Sequence, residues 1–102
     1  MVVQNKYQIF QQLHQNRGAL AGYGIHRFGI FGSFVRAEQN DKSDIDILVE
    51  FEPEKKSFDN FMNLAFFLEE LLGRKVDLIT PESLSPYIGP KILAEVEYGL
   101  ID

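Results

Sequence analysis

Two aspartates stand two positions apart in an otherwise apolar segment, Asp44-Ile45-Asp46-Ile47-Leu48-Val49. Aspartate is among the residues least favoured in strands, so two of them inside such a segment need a chemical reason. A period of two places both carboxylates on one face of the predicted strand, about 6 to 7 Å apart, where like charges repel each other and lose hydration. A divalent cation would relieve this repulsion. Carboxylate oxygens suit Mg²⁺ or Mn²⁺, ions that often also bind substrate phosphates, so the segment predicts phosphoryl chemistry.

A glycine–serine pair precedes this segment and follows an apolar strand predicted over Ile25 to Phe31. Gly32 has no Cβ, so a ligand can come close to the backbone there. Ser33 is suited to cap a short helix that runs through about Glu38. The free N–H groups and the positive end of that helix favour an anion such as a phosphate. Arg36 lies one turn further on, where it could face the same phosphates or clamp the loop to the acidic strand.

A third isolated aspartate, Asp77, lies in a short apolar strand predicted over Lys75 to Thr80. Period two turns Asp77 away from the face that carries Val76 and Leu78. The informative pattern is the whole set, namely Gly-Ser, ten residues, Asp-x-Asp, and a further aspartate on another strand. The alternative is a purely structural role for the three aspartates, as a strand cap, an exposed edge residue and a salt-bridge partner.

Hydrophobic periodicity and turn signals predict the remaining elements. The predicted helices are Gln4 to His14, Arg17 to Ala21, Phe58 to Leu72 and Pro90 to Tyr98, and the strand with the paired aspartates is predicted over Ser43 to Phe51. Ser57 and Gly73 are expected to cap and end the longest helix. Its inward stripe is predicted to consist of Phe58, Phe61, Met62, Ala65, Leu68 and Leu72. Four more apolar residues widen the stripe, some of them facing a partner: Leu64, Phe66, Phe67 and Leu71.

These elements predict an α/β (α+β) fold in one domain, residues 1–102. We expect a small mixed sheet of three or four strands, with helices packed mainly against one side and the acidic site on the open side. The absence of cysteine excludes disulfides and thiolate metal sites. A net charge of −5 argues against direct nucleic-acid binding, which relies on Lys and Arg. No apolar run approaches the ~20 residues of a membrane span, and no signal peptide is evident, so we expect a cytoplasmic protein without a membrane partner.

Gly-Ser, ten residues, Asp-x-Asp is the signature of the DNA polymerase β-like nucleotidyltransferase superfamily. The length, the Phe31-Gly32-Ser33 approach and the Lys75-Val76-Asp77-Leu78-Ile79 strand resemble its minimal nucleotidyltransferase (MNT) branch. The resemblance covers about Ile25 to Thr80 well and the flanking helices loosely. Members of this branch are usually encoded beside a HEPN-domain ribonuclease toxin and act as its antitoxin. One departure is that the family often continues Gly-Ser-x-Ala-Arg-Gly; here Arg36 is retained, but Ala37 replaces the last glycine.

The resemblance implies nucleotidyl transfer from ATP by two divalent ions, Mg²⁺ or alternatively Mn²⁺, held by Asp44, Asp46 and Asp77. Gly32, Ser33 and the helix amides, with Arg36, would bind the triphosphate. Asp77 would also take or orient the proton of the attacking hydroxyl. Attack at the α-phosphorus would release pyrophosphate and leave a nucleoside monophosphate on the acceptor.

The same resemblance implies that the acceptor is a tyrosine hydroxyl of the HEPN toxin. A chain of 102 residues leaves no room for the second domain that holds the acceptor in larger relatives, which is consistent with a protein acceptor. Two alternatives remain at this point. The domain could block its partner by docking alone, or it could modify a small molecule such as an aminoglycoside.

Overall fold

The computed structural model describes residues 2–101, without the side chain of residue 100. These described residues contain five α-helices: α1 (Lys6–Gln15), α2 (Arg17–Gly22), α3 (Ser33–Arg36), α4 (Phe58–Leu72) and α5 (Gly89–Glu95). The same part of the chain contains four strands: β1 (Ile25–Phe31), β2 (Ile45–Phe51), β3 (Val76–Ile79) and β4 (Glu97–Leu100). Short 3₁₀ helices cover Pro53–Lys55 and Pro81–Ser83.

The four strands form one mixed sheet in the order β3-β2-β1-β4. β1 pairs antiparallel with both β2 and β4, whereas β2 pairs parallel with β3. The parallel pair requires a crossover connection, and α4 supplies it between β2 and β3. These features confirm the predicted α/β fold with a small mixed sheet.

The hydrophobic core lies on one face of this sheet. The two central strands contribute Ile25, Phe28, Ile30, Ile45, Ile47 and Val49, all of them buried. The helices pack Ile9, Leu13, Leu20, Phe34, Leu64, Leu68 and Leu72 against them. Because side chains alternate along each strand, Phe31, Asp46 and Asp77 lie on the opposite face. The helices therefore stabilise one side of the sheet and leave the acidic residues on the other, as predicted.

The longest helix has the predicted bounds, but its buried face differs from the predicted stripe. Ser57 caps the helix by accepting a hydrogen bond from the Asn60 amide at 3.1 Å, and Gly73 ends it with a φ of 72°. Leu64, assigned to the outer part of the stripe, is fully buried, whereas Phe58 is 77% exposed. Apolar residues surround most of α4, so periodicity alone does not fix the centre of the buried face.

The C-terminal segment corrects a second prediction. The helix predicted from Pro90 to Tyr98 ends at Glu95, and residues 97–100 form β4 instead. Tyr98 lies opposite Gly29 of β1 in this pairing. Backbone hydrogen bonds with β1 replace those of a further helical turn, and no local sequence pattern signals such a distant partner. Within residues 2–101, no helix combines the length and the apolar character that crossing a bilayer would need.

The burial of α4 gives a direct test of the corrected face. Leu64→Ala should lower the free energy of unfolding by about 3 kcal/mol, because it opens a cavity in the core. Phe66→Ala, on the same helix but 59% exposed, serves as the control and should cost less than about 1 kcal/mol. Urea unfolding followed by circular dichroism measures both values, and equal losses would contradict the assigned face.

Candidate functional site

The register of the sheet brings the predicted glycine turn next to two of the predicted aspartates. Phe31, the last residue of β1, lies opposite Asp46 of β2, and Asp46 lies beside Asp77 of β3. Gly32 follows β1 directly and adopts a φ of 77° and a ψ of −153°, a combination that is essentially restricted to glycine. A Cβ at position 32 would overlap Oδ2 of Asp46 and lie 2.9 Å from its Cγ. The glycine therefore leaves the space that the Asp46 carboxylate occupies.

Asp46 lies in an unfavourable position for a negative charge. Its side chain is partly buried, and burial is the main cause that raises its pKa to about 6. The neighbouring carboxylates of Asp77 and Asp44 raise the pKa further, while the Arg36 guanidinium opposes the shift. Folding thus concentrates carboxylates at the open face, and a cation bound there would offset their repulsion.

Asp44 and Asp77 are both exposed to solvent, and Asp44 precedes the first residue of β2. Across residues 2–101, no group of three or more His, Cys, Asp or Glu side chains is arranged so that it could hold a metal ion. The structure therefore brings the carboxylates of Asp44 and Asp77 close enough to raise the pKa of Asp46, but it does not arrange the three carboxylates around one position. The carboxylates of Asp46 and Asp77 do fit an ion such as Mg²⁺, which typically takes one or two carboxylates and completes its shell with water and phosphate oxygens.

The short helix after the glycine differs in two respects from the prediction. Ser33 is the first residue of α3 and not its cap; the N-cap is Gly32, and no side chain caps the helix. Helix α3 also ends at Arg36, two residues before the predicted end at Glu38, because Ala37 takes a left-handed conformation with a φ of 59°. The amide of residue 38 then donates to the Ser33 carbonyl at 2.9 Å and closes the turn.

Glu95, at the end of α5, was not predicted as a site residue. Its Oε2 accepts a hydrogen bond from the Gly32 amide at 2.7 Å, and its two carboxylate oxygens lie 2.9 and 3.0 Å from Nη1 of Arg36. The Gly32 amide is the main cause that lowers the pKa of Glu95, and Arg36 acts in the same direction. The sequence held no signal for this contact, which depends on the unpredicted pairing of β4 with β1.

Arg36 takes part in two ion pairs, with Glu95 and with Glu38, whose Oε1 lies 2.8 Å from Nε. Of the two roles predicted for Arg36, the clamp exists but joins the loop to α5 rather than to the acidic strand. The site therefore contains a turn fixed by Glu95, a partly buried Asp46 against that turn, and Asp77 beside it. Such a surface offers carboxylates for a cation next to backbone that a phosphate could approach closely.

The conformation of Ala37 predicts a stabilising substitution at the edge of this site. Among residues 2–101 it is the only residue other than glycine with a positive φ. Ala37→Gly should raise the free energy of unfolding by about 1 kcal/mol, because the left-handed conformation costs an L-residue more than the extra chain entropy costs glycine. Ala19→Gly, at an exposed position inside α2, should instead lower it by roughly 0.5 to 1 kcal/mol. Urea titration of both variants checks the opposite signs; a loss of stability in Ala37→Gly would contradict the assigned turn.

Comparisons with known proteins are consistent with this geometry. A model of the nucleotidyltransferase domain family matches residues 8–98. Protein adenylyltransferase MntA of Thermococcus cleftensis is 46% identical over 76 residues, which are 74% of this chain and 76% of that protein. A solved structure assigned as a minimal nucleotidyltransferase superposes with a TM-score of 0.69 at 34% identity, covering 86% of this chain and 93% of the other.

A more distant likeness concerns a toxin–antitoxin complex. One chain from a structure of the tri-AMPylated Shewanella oneidensis HEPN toxin in complex with MNT antitoxin has a TM-score of 0.55 at 20% identity. The superposition covers 82% of this chain and 68% of that one, and it establishes likeness of fold alone. The family match and the close relatives confirm the resemblance that the glycine–serine turn and the aspartates indicated. The chain belongs to the nucleotidyltransferase domain family.

Proposed function

We propose that this protein, as one domain of residues 1–102, is an antitoxin that transfers AMP from ATP to a hydroxyl group of a HEPN-domain toxin. The observation that carries the proposal is the Asp46 carboxylate, which lies against Gly32 and beside Asp77 at the open face of the sheet. Membership of the nucleotidyltransferase domain family supports the reaction class. The relative named protein adenylyltransferase MntA supports a protein acceptor, and the HEPN toxin complex with a similar fold supports the kind of partner.

Three aspartates take the metal-binding role in this proposal. Asp46 and Asp77 would hold the two divalent ions, Mg²⁺ or alternatively Mn²⁺, and Asp44 would join them as a further ligand, since the three carboxylates are not already arranged around one position in residues 2–101. Bound ions of this kind neutralise the charge that develops on phosphate oxygens and favour deprotonation of an attacking hydroxyl. The concentration of carboxylates around Asp46 provides the negative potential that attracts such ions.

The turn after β1 would bind the nucleotide. Because Gly32 carries no Cβ, the phosphates can approach the backbone between β1 and α3, and Ser33 can donate its hydroxyl to them. Arg36 lies at the same turn; Nε and Nη1 of its guanidinium pair with Glu38 and Glu95, so Nη2 is the group that would reach the phosphates. Asp77 is exposed and adjacent to Asp46, so it can orient the acceptor hydroxyl and accept its proton. The acceptor oxygen forms a bond to the α-phosphorus, and the bond to pyrophosphate breaks.

Exposed apolar residues favour a protein acceptor. The chain segment that leads to Glu95 exposes three large apolar side chains, Tyr87, Ile88 and Leu93. Exposed apolar side chains grouped in one segment are typical of protein contacts. A small-molecule acceptor would need a pocket at the aspartates. The apolar cleft of about 470 Å³ that Phe51, Phe58 and Phe61 line with residues of β3 contains none of the six predicted site residues. A smaller polar pocket of about 260 Å³ is lined by Asp44 but by neither Asp46 nor Asp77.

Transfer can be tested directly with ATP labelled at the α-phosphate, Mg²⁺ and the proposed partner, a HEPN-domain toxin sought in the gene adjacent to this one. The toxin should acquire label that survives denaturation. Asp46→Asn should reduce labelling by at least about 100-fold, because it removes one carboxylate from the ions. Asp41→Asn, which removes an exposed acid with no assigned role, is the matched control and should label the toxin at the wild-type rate.

Three outcomes of this experiment would contradict the proposal. A toxin that is inhibited by the wild-type protein but never labelled would indicate docking without catalysis. Labelling of a free small molecule without any partner protein would indicate a different acceptor class. Equal labelling by Asp46→Asn and the wild type would show that the transfer does not depend on the Asp46 carboxylate.

A further inference from the structure

Glu95 joins the end of α5 to the turn between β1 and α3. Its carboxylate accepts the Gly32 amide at 2.7 Å and pairs with Nη1 of Arg36 through both oxygens, at 2.9 and 3.0 Å. Only 28% of its side chain is exposed, and Gly32 is buried. The contact spans 63 residues of sequence, so it is a tertiary link and not part of a local turn.

The backbone at Gly32 needs this acceptor. The ladder between β1 and β2 ends at the pair of Phe31 with Asp46, so the next amide has no strand partner there. With a φ of 77° and a ψ of −153°, Gly32 directs its N–H to the Glu95 carboxylate. A buried N–H that loses its only strong acceptor is costly, and the turn would move to pair it elsewhere.

Movement of this turn would reach Asp46. The Asp46 carboxylate occupies the space that a Cβ at Gly32 would fill, so the turn forms one wall around it. The segment that carries Glu95 is itself fixed, because β4 pairs with β1 and Val96 packs against Gly29. Glu95 therefore ties the Gly32 turn to the edge strand β4, and the turn contacts the Asp46 carboxylate.

We propose that Glu95 is a positioning residue of the nucleotidyl-transfer site, which holds the Gly32 turn in place and thereby orients Asp46 toward the ions and the triphosphate. The inference rests on the proposed function for the reaction, but its effect on ion binding can be measured without any acceptor. Partners that orient metal ligands from outside the first coordination shell usually change metal affinity or activity about 10 to 100-fold when they are removed.

Glu97 supplies a matched control two residues further along the chain. Its carboxylate bonds only to Nζ of Lys6, at 2.9 and 3.2 Å, among the contacts described for residues 2–101. This ion pair links β4 to α1 and touches neither the turn nor the aspartates. Glu97→Ala therefore removes one carboxylate and one tertiary link without touching the assigned site.

The experiment compares Glu95→Ala, Glu95→Gln and Glu97→Ala in the full chain. Three quantities are measured: the melting temperature, the binding of Mn²⁺ with a non-hydrolysable ATP analogue by calorimetry, and kcat and KM for ATP with the HEPN toxin. Glu95→Ala should weaken Mn²⁺ binding and lower kcat by about 10 to 100-fold. Glu95→Gln retains an amide oxygen for the Gly32 N–H, so its Mn²⁺ affinity and kcat should lie within about 5-fold of the wild type. Glu97→Ala should keep its Mn²⁺ affinity and kcat within about 2-fold of the wild type, even if its melting temperature falls as far as that of Glu95→Ala.

The inference is overturned if Glu95→Ala retains the Mn²⁺ affinity and kcat of Glu97→Ala. It is also overturned if Glu95→Ala lowers the KM for ATP and raises kcat, since Glu95 would then compete with the phosphates for Gly32 and Arg36. If the wild type binds the ion and the analogue but transfers no AMP, while Glu95→Ala loses that binding, the proposed function fails and the inference stands. If Glu95→Ala transfers AMP normally and binds the ion and the analogue as the wild type does, the inference fails and the proposed function stands.

Discussion

A partly buried carboxylate, Asp46, lies between the backbone of Gly32 and a second carboxylate, Asp77, and the rest of the site depends on that contact. Two independent pairings produce it, because the antiparallel ladder of β1 with β2 brings the glycine and the parallel ladder of β2 with β3 brings the second acid. The charge at this position opposes folding, as the raised pKa of Asp46 indicates. The apolar core on the other face of the sheet stabilises the fold against this local cost, an arrangement typical of functional sites.

The C-terminal segment completes the arrangement. β4 pairs with β1 immediately before the glycine turn, and this pairing brings Glu95 to the Gly32 amide. The turn is thus restrained from both sides, by the Asp46 side chain and by the Glu95 carboxylate. Helices α1, α2 and α4 contribute to the core rather than to the site. The candidate site therefore lies at one face of the sheet, where three strands and the end of α5 meet.

Local signals were sufficient for the parts of the fold that have local causes. The bounds of β1 and α4 follow from an apolar run, a serine cap and a terminal glycine, and the placement of Asp46 and Asp77 on the open face follows from strand alternation. Features that depend on contacts between residues distant in the sequence could not be predicted. The segment Glu97-Tyr98-Gly99-Leu100 becomes a strand only because β1 offers a free edge, and Glu95 acquires its role from that pairing. Likewise, the burial of Leu64 depends on how α4 sits on the sheet, which an almost entirely apolar helix does not specify.

The proposed chemistry depends on an ion site that Asp44, Asp46 and Asp77 would form beside the glycine turn. Crystals grown with Mn²⁺ and a non-hydrolysable ATP analogue, with diffraction measured at the manganese absorption edge, can locate the ions. We expect anomalous peaks next to the carboxylate oxygens of Asp46 and Asp77, with Asp44 as a further ligand and the phosphates against Gly32 and Ser33. Manganese bound away from these carboxylates, or a nucleotide bound at another surface, would contradict it.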